Sequence, residues 1–384
     1  MLKKNNSELL IIIDDILPHN LSSFRNAELK EYIKKYSNIV FINISTAPLN
    51  ENNFIKEVID NNIKYFQTDF NDEELENIKN YINTFDKKVA MITFLNNIYG
   101  YDGEVLKFLE ENNITFSFTL YPGGGFFIND ETKEKLKRIF ASPKFYKVII
   151  TQKKSLEYLV TNNLCPINSI KFIYGLPISP SMLKLKLKRK EYNHDAINIC
   201  FVAYKYWPEG KDKGYDIFIN LVKEFKNDNH YRFHVVGNFS ADDIDISDIK
   251  DKIKFYGILK NEKFIDFYQD KDILISPTRS NILYPGAFDG FPTGASVDAM
   301  LNKILLITTD PLDNNIYFKN EKDIIIIDNK VENLKLKVEE LTQNPRKIRI
   351  IANQGYKKAN NLFSYRKQII SRLKIIEEMR EKNE

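Results

Sequence analysis

Residues 288–300, FDGFPTGASVDAM, place two aspartates on either side of a Gly-Phe-Pro turn and a run of small residues. Asp289 and Asp298 carry carboxylates, which are natural acceptors for paired sugar hydroxyls. Thr293 is the predicted N-cap of a helix, and the small residues from Gly294 onward let a ligand approach its first backbone amides, which favour a phosphate. Hydroxyl acceptors beside a phosphate site fit a nucleotide-sugar ligand.

Short apolar runs separated by amphipathic segments predict the elements that hold these residues. Each run is nearly continuous in apolar character, as expected of a parallel strand covered on both faces. Amphipathic helices are predicted between them, for example over 24–36 and 71–85. The predicted strands begin at Leu9, Ile39, Val89, Ile114, Lys147 and Ile170 in the first half, and at Ile197, Tyr231, Ile253, Asp272, Lys303 and Asp323 in the second.

The alternation of predicted strands and helices stops after the sixth strand and starts again at Ile197. This predicts an α/β protein with two Rossmann-like, doubly wound domains. With 384 residues, the chain exceeds the usual size of one core. We expect a first domain over 1–178, a linker over 179–196, a second domain over 197–363 and a terminal helix over 364–384. Ligands of such sheets bind beyond the carboxyl ends of the strands, so two facing sheets would form a cleft. One buried stripe is predicted on the terminal helix, formed by Ile369, Ile370, Leu373, Ile376 and Met379.

Composition points to an ordinary globular protein, with 43% hydrophobic and 28% charged residues and a net charge of +4. The charge is spread along the chain, and no nucleic-acid partner is expected. Two cysteines without metal-ligand spacing favour a reducing, cytoplasmic location. No apolar run is long enough to span a bilayer. The Leu-Lys alternation over 183–190 favours a solvated linker, with a peripheral contact to the inner face of a membrane as a secondary interpretation.

The acidic stretch resembles the signature of the retaining GT-B glycosyltransferases, specifically glycosyltransferase family 4. That signature is an acid, Gly-Phe-Pro or similar, a few small or apolar residues, a second acid and Ala-Met. Here both acids are Asp rather than Glu, and eight residues separate them where the family usually has seven. By this resemblance, Asp289 contacts hydroxyls of the donor sugar and Asp298 the ribose of the nucleotide. Gly290, Phe291, Thr293 and Gly294 then lie along the same substrate site.

The resemblance covers the whole second half of the chain. Lys205 takes the place of the family's usual Arg, and Lys213, before a glycine, matches its usual Lys. By the resemblance, both neutralise the leaving diphosphate, an electrostatic effect strongest in a closed, dry cleft. Ile258 and Leu259 follow the segment that runs beside the base in relatives, so they are candidate base contacts.

The first half matches the family less specifically. The resemblance implies that the domain over 1–178 is the acceptor-side domain and that the domain over 197–363 binds the nucleotide-sugar. The run YPGGGFF lacks the Gly-Lys-Ser/Thr ending of a P-loop. Gly124 and Gly125 are therefore candidates for a flexible turn that lines the cleft, or equally for a structural loop with positive backbone angles. His19 is a further candidate for substrate binding, although a lone loop histidine is more often incidental.

No metal site is expected. Asp243 and Asp245 imitate the metal-binding acidic pair of the other main glycosyltransferase fold, but their highly acidic surroundings favour a solvated surface run. The GT-B fold needs no such metal, so no cofactor is expected apart from the donor, which is a UDP- or GDP-linked sugar and a substrate.

The predicted function is therefore a metal-independent, retaining glycosyltransferase, such as a hexosyltransferase of bacterial surface glycoconjugate synthesis. Its partners would be a nucleotide-sugar donor and a glycan, lipid-linked or protein acceptor. Two alternatives stay open. The same site with water as acceptor would give a nucleotide-sugar hydrolase or epimerase, and loss of catalysis would leave a GT-B binding or assembly module.

Overall fold

The computed structural model describes residues 5–15, 23–44, 63–70, 73–178, 196–260 and 263–382. The chain divides into two compact units, one formed by Met1–Ser179 with Tyr365–Glu384 and the other by Pro180–Ser364. The predicted linker lies outside the described residues except for Ala196, as does the whole Leu-Lys alternation.

The described part of the first unit is built on a seven-stranded parallel sheet in the order β3-β2-β1-β4-β5-β6-β7. The order reverses between β1 and β4, and ligands of open α/β sheets bind at such a point, beyond the carboxyl ends of the strands. The strands are β1 (Asn5–Asp14), β2 (Ile39–Asn43), β3 (Lys64–Gln67), β4 (Phe85–Thr93), β5 (Thr115–Leu120), β6 (Phe145–Ile150) and β7 (Ile170–Phe172).

Within the described residues, helices lie between consecutive strands of this unit, as parallel strands require; the connection from β2 to β3 lies outside those residues. Their starts carry local signals: Asn129, for example, accepts a hydrogen bond from the Thr132 amide at 2.9 Å and so caps the fifth helix. The helices are α1 (Ser23–Lys35), α2 (Glu74–Ile82), α3 (Asn96–Tyr99), α4 (Glu104–Glu111), α5 (Asp130–Phe140) and α6 (Lys153–Thr161).

The second unit contains, within its described residues, a six-stranded parallel sheet in the order β10-β9-β8-β11-β12-β13. Its strands are β8 (Ile197–Val202), β9 (Tyr231–Val236), β10 (Ile253–Phe255), β11 (Ile273–Ser276), β12 (Leu305–Thr308) and β13 (Ile325–Ile326). Its helices are α7 (Tyr215–Glu224), α8 (Phe264–Tyr268), α9 (Gly294–Leu301), α10 (Val331–Thr342) and α11 (Pro345–Leu362). The predicted fold class, two parallel-sheet α/β domains, is confirmed.

Every predicted strand is confirmed, and one strand, β3, was not predicted. Its sequence, KYFQ, has no continuous apolar run, because the strand lies at the edge of the sheet. Only Phe66 in β3 is fully buried, so the period-based signal of a covered strand is absent.

The C-terminal segment packs into the core of the first unit. A π-helical turn over Arg366–Ile370 leads into α12 (Ser371–Lys382). The predicted buried stripe is confirmed at Ile369, Leu373, Ile376 and Met379. It is wrong at Ile370, which is 37% exposed, because the wider π turn shifts the register of the face that reaches the core.

Arg372 anchors this segment through a buried polar network. Its side chain is inaccessible to solvent, and its guanidinium lies 3.1 Å from the Glu28 carboxylate. It also donates to the Tyr121 hydroxyl at 2.9 Å and to the Gln368 backbone at 2.9 Å. A buried guanidinium is stable only when it is paired in this way, so the network fixes α12 against α1 and the end of β5.

None of the helices in the described part of the chain combines the length and the apolar composition that crossing a bilayer would require.

Candidate donor site

Lys213 lies in a tight turn between β8 and α7. Gly214, the residue after it, has a φ of 73°, and a Cβ there would lie 2.1 Å from the Pro277 carbonyl oxygen. Pro277 directly follows β11, so the glycine allows two loops at the carboxyl edge of the sheet to pack backbone against backbone. The Arg279 amide donates to the Asp212 carbonyl at 2.8 Å and fastens the same contact.

The Lys213 ammonium makes a two-pronged ion pair with Asp289. Its Nζ lies 2.7 Å from Oδ1 and 2.8 Å from Oδ2 of that carboxylate, and 3.3 Å from Oδ2 of Asp212. Burial opposes the charge of Lys213, but the two carboxylates outweigh it, so the pKa of Lys213 is raised above its ordinary value. The lysine is therefore a permanent positive charge held among acids.

The loop from Asp289 leads directly into α9. Gly290 follows Asp289, Phe291 is buried at the bend that comes next, and the Thr293 hydroxyl accepts a hydrogen bond from the Ser296 amide at 3.3 Å. The predicted N-cap is thereby confirmed. The amides of Gly294 and the next residue belong to the first turn of the helix, where backbone donors have no partner within the helix. They offer hydrogen bonds and a favourable dipole to an anion.

Asp298 is the fifth of the eight residues of α9 and is partly buried. Burial raises the pKa of its carboxyl to about 7, and no charge or hydrogen bond from a described residue offsets that rise. Tyr268 lies near it, fully buried, with a hydroxyl that has no partner in the described structure. Burial chiefly, with Cys200 and Asp298 nearby, raises the pKa of Tyr268.

The backbone of Lys205 is held by two hydrogen bonds to the side chain of Asn238, which follows β9; we call these two bonds the Asn238 clamp. The Lys205 amide donates to the Asn238 side chain at 2.7 Å, and that side chain donates back to the Lys205 carbonyl at 3.0 Å. The segments after β8 and β9 can approach this closely because residue 237 is a glycine. A Cβ added at Gly237 would lie 1.9 Å from the Ala203 carbonyl oxygen.

The Lys205 ammonium forms an ion pair with Asp243, not with either aspartate of the acidic motif. Asp243 is 12% exposed and also accepts a hydrogen bond from the Ser240 amide at 2.8 Å. The prediction of a solvated surface run is therefore wrong for Asp243, because the following loop folds back onto Lys205. Over the described ranges, no group of three His, Cys, Asp or Glu side chains is arranged to hold a metal ion.

Ile258 and Leu259 follow β10, on the far side of the sheet order from α9. Ile258 is 53% exposed, and Leu259 is half-buried. The carbonyl of Gly257 accepts a hydrogen bond from the Gly237 amide at 2.9 Å, which ties this loop to the one that clamps Lys205. An apolar, accessible surface at this edge is available to a flat ligand group.

Gly124 and Gly125 lie in the first unit, in a turn after β5. Their φ angles are positive, at 53° and 82°, which is the backbone conformation that the structural-loop interpretation predicted. Gly124 packs on the Phe94 side chain, and its carbonyl accepts a hydrogen bond from the Asn96 amide at 2.9 Å. A contact with substrate stays a prediction for both glycines. His19 lies outside the described residues.

An acidic cluster at the end of β1 was not predicted. The Arg25 guanidinium bridges Asp14 and Asp15, and Asn96 and Asn97 also donate to Asp15, at 3.3 and 3.4 Å. Burial would raise the pKa of Asp15, but hydrogen bonds and the Arg25 charge hold it at about 2. The signal was present in the sequence, since two acids follow an apolar strand at the edge where ligands of such sheets bind.

The second unit thus brings together one pair of predicted residues, Lys213 and Asp289, beside the start of α9. Asp298 lies on the same helix, whereas Lys205 belongs to a separate cluster. Sequence reasoning missed Asp212 and Asn238 and misjudged Asp243, and these three residues hold the two lysines. An ammonium, a carboxylate and open helix amides can together bind a group that carries both phosphate and hydroxyls.

A family model described as Glycosyl transferases group 1 matches residues 209–358. The matched range contains Lys213 and both aspartates of the motif but not Lys205. A curated relative, an uncharacterized 41.2 kDa protein in the cps region of Klebsiella pneumoniae, is 28% identical over 116 residues. The match spans 29% of this chain and only 31% of that relative.

Two solved structures resemble the chain over nearly its full length. A glycosyltransferase from Rickettsia africae matches with a TM-score of 0.70 and 14% identity, over 98% of this chain and 99% of that one. HepE from Anabaena, solved with UDP and glucose, matches with a TM-score of 0.67 and 13% identity, over 97% and 98% of the two chains. At these identities the likeness concerns the fold. The chain therefore has the GT-B fold, and residues 209–358 of its second unit are similar to the group 1 glycosyl transferases.

Proposed function

We propose that the protein is a retaining glycosyltransferase of family 4 that moves a sugar from a UDP- or GDP-linked donor to a glycan, lipid-linked or protein acceptor. The observation that carries the proposal is the Lys213–Asp289 pair beside the start of α9. It joins a largely buried ammonium to a partly exposed carboxylate, and that carboxylate lies five residues before the first helical residue of α9, Gly294. The match of residues 209–358 to the group 1 family supports sugar transfer as the reaction.

In this proposal the protein's residues act by charge and position. The departing diphosphate gains negative charge as the glycosidic bond breaks, and Lys213, Lys205 and the α9 amides neutralise it. Each charge-assisted hydrogen bond contributes about 1.5 to 3 kcal/mol, or roughly ten- to a hundredfold in rate when it forms only in the transition state. Because lysines supply this charge, we propose a metal-independent reaction. By family analogy, the acceptor attacks from the front face and the diphosphate helps to remove its proton.

The other groups of the site take the remaining parts of the donor. Asp289 accepts hydrogen bonds from hydroxyls of the sugar, and Asp298 from those of the ribose. Ile258 and Leu259 cover the base, and Gly290, Phe291, Thr293 and Gly294 shape the path of the diphosphate. HepE, which shares the fold, was solved with UDP and glucose, and this supports a uridine donor as the first to test.

We assign the acceptor to the first unit, with Gly124, Gly125 and His19 as candidate contacts. Polar groups already gather beyond the carboxyl ends of β1 and β4, which is where ligands of such sheets bind. A role in bacterial surface glycoconjugate synthesis, in the cytoplasm or at the inner face of the membrane, is in keeping with the relative in a cps region.

A thermal-shift screen against UDP, GDP, UDP-glucose and GDP-mannose tests the proposal. A ligand that binds only the folded protein raises its stability by about 2.7 kcal/mol at a hundred times its dissociation constant. We expect one base to be selected, and the shift to be lost in Lys213→Ala. The matched control is Lys226→Ala, which removes an exposed lysine paired with Asp248.

Absence of a shift with all four nucleotides would contradict the proposal and favour a binding or assembly module. If a donor binds, release of free sugar without any acceptor at the rate of transfer would instead favour a hydrolase. The screen and the assay of sugar release together therefore separate a binding module and a hydrolase from a transferase.

A further inference from the structure

Asp212 is a buried carboxylate that the proposed reaction does not use. Its side chain is 4% exposed, and neither of its oxygens accepts a hydrogen bond within the described structure. The Lys213 ammonium, 3.3 Å from Oδ2, is the cation beside it. Buried carboxylates in native proteins nearly always have hydrogen-bond partners, so this unused capacity requires an explanation.

The backbone holds Asp212 in place. Its carbonyl accepts a hydrogen bond from the Arg279 amide at 2.8 Å, and the Lys213 amide donates to the Gly210 carbonyl at 3.0 Å. Gly214, which follows, is packed against Pro277. The backbone of Asp212 is therefore held independently of the position of the Lys213 side chain.

Asp289 differs from Asp212 in both accessibility and bonding. It is 28% exposed, and both of its oxygens are occupied by the Lys213 ammonium, at 2.7 and 2.8 Å. A sugar hydroxyl that donates to Asp289 must compete with that ammonium. One lysine is thus shared by two carboxylates, of which only the partly exposed one can meet a ligand.

We propose that Asp212 is a positioning residue that receives the Lys213 ammonium when the hydroxyls of a donor sugar take over Asp289. This rests on the proposed function. In the free protein, Lys213 keeps Asp289 neutralised. On donor binding the ammonium turns toward the diphosphate, its distance to Asp212 shortens to a hydrogen bond, and the oxygens of Asp289 become available to the sugar. Asp212 keeps the lysine charged and close throughout, because the backbone hydrogen bonds that hold Asp212 do not involve the ligand.

The inference predicts different effects on the binding of a sugar nucleotide and of the plain nucleoside diphosphate, and a binding experiment can measure both. Isothermal titration gives the dissociation constants of UDP and UDP-glucose, and of GDP and GDP-mannose, for the wild type and Asp212→Asn. We expect the variant to bind the sugar nucleotide roughly ten- to a hundredfold more weakly and the plain diphosphate within about threefold of the wild type, since only the sugar needs Asp289 to be released. A purely structural defect would weaken both ligands alike.

Further variants complete the test. Asp212→Glu keeps the charge and is expected to keep the wild-type ratio of the two affinities, as is Asp248→Asn, an exposed acid of the same unit. Asp212→Asn combined with Asp289→Asn is expected to lose no more sugar-dependent affinity than Asp289→Asn alone, because both act through one contact.

The outcomes distinguish the inference from the proposed function. If the wild type binds one pair of nucleotides and the ratio is unchanged in Asp212→Asn, the inference is wrong and the proposed function stands. If the wild type binds none of the four, both are wrong.

Discussion

The Nζ of Lys213 lies within 2.8 Å of both carboxylate oxygens of Asp289, a residue 76 positions further along the chain. The pair joins the turn before α7 to the loop before α9. The ion pair therefore holds together the loop that carries the basic residue and the loop that carries the acidic residue. A shift in the position of one of these loops is expected to move the other. It also makes Lys213 a structural residue, since two carboxylates depend on its charge.

Replacing Lys213 with Met is expected to lower the free energy of unfolding by about 3 kcal/mol, because the variant leaves Asp212 charged and buried without a cation. Urea unfolding followed by circular dichroism measures this. Adding Asp212→Asn to the same chain removes the uncompensated charge and is expected to recover part of the loss. A Lys213→Met protein as stable as the wild type would contradict the assigned role of the ammonium.

The partners of Lys205 and Lys213 could not be predicted from the sequence. Lys213 and Asp289 were predicted separately, each from its position after a strand and before a helix. Their contact was not predicted, because no local pattern encodes a distance between two loops. Asp243 was misjudged for the same reason: its acidic neighbours suggested solvent, but the loop folds back onto Lys205.

Replacing Asp298 with Asn is expected to stabilise the protein at pH 8, by roughly 1 to 3 kcal/mol, since it removes a buried charge without a hydrogen bond. The pKa of this carboxyl is about 7 in the folded protein, raised by burial from its ordinary value. Well below pH 4 the group is protonated in both the folded and unfolded states, and its titration does not affect stability. As the pH rises toward 7, the unfolded state ionises first, so stability falls; above 7 the loss is complete.

Melting temperatures of Asp298→Asn and the wild type between pH 4 and pH 8 test this sign. The difference between the two proteins should be small at pH 4 and largest at pH 8. Asp248→Asn, an exposed acid, should show no such trend. A difference that is constant with pH would mean that Asp298 titrates normally.

Replacing Gly214 with Ala is expected to destabilise the protein far more than Gly257→Ala in the same unit. Both glycines have positive φ, at 73° and 65°, so both substitutions carry the left-handed strain of roughly 1 to 2 kcal/mol. Only at Gly214 would the new Cβ meet backbone, 2.1 Å from the Pro277 carbonyl oxygen, whereas nothing lies within 4 Å at Gly257. Urea unfolding of both variants measures the difference, and equal losses would show that the two loops do not depend on this contact.

The fold itself was more accessible from sequence than the site. A continuous apolar run predicts a strand of a parallel sheet because both faces of such a sheet are covered. This prediction was correct for every described strand except β3, which is half-exposed. The terminal helix was located correctly, but the role of Arg372 was not, since a buried arginine has the same sequence pattern as a solvated one. Sequence periodicity thus predicts burial of apolar faces, whereas polar networks emerge only from tertiary contacts.

The loop after β8 carries both Lys205 and Trp207, the single tryptophan of the chain, so intrinsic tryptophan fluorescence reports on this loop alone. Trp207 is 55% exposed, and its emission will respond to a ligand that changes the polarity around it. We expect UDP or GDP to alter the emission of the wild type. In Lys205→Ala the titration should move to roughly tenfold higher concentration, because one charge-assisted bond to the diphosphate is lost.

Lys226→Ala serves as the matched control for that titration, since it removes an exposed lysine of the same unit that is paired with Asp248. The Asn238 clamp fixes the backbone of Lys205 rather than its charge, so Lys205→Ala keeps the loop in place while removing the ammonium. An unchanged midpoint in Lys205→Ala would therefore mean that the diphosphate does not reach Lys205. The positive charge that the reaction needs would then have to come from Lys213 and the start of α9 alone.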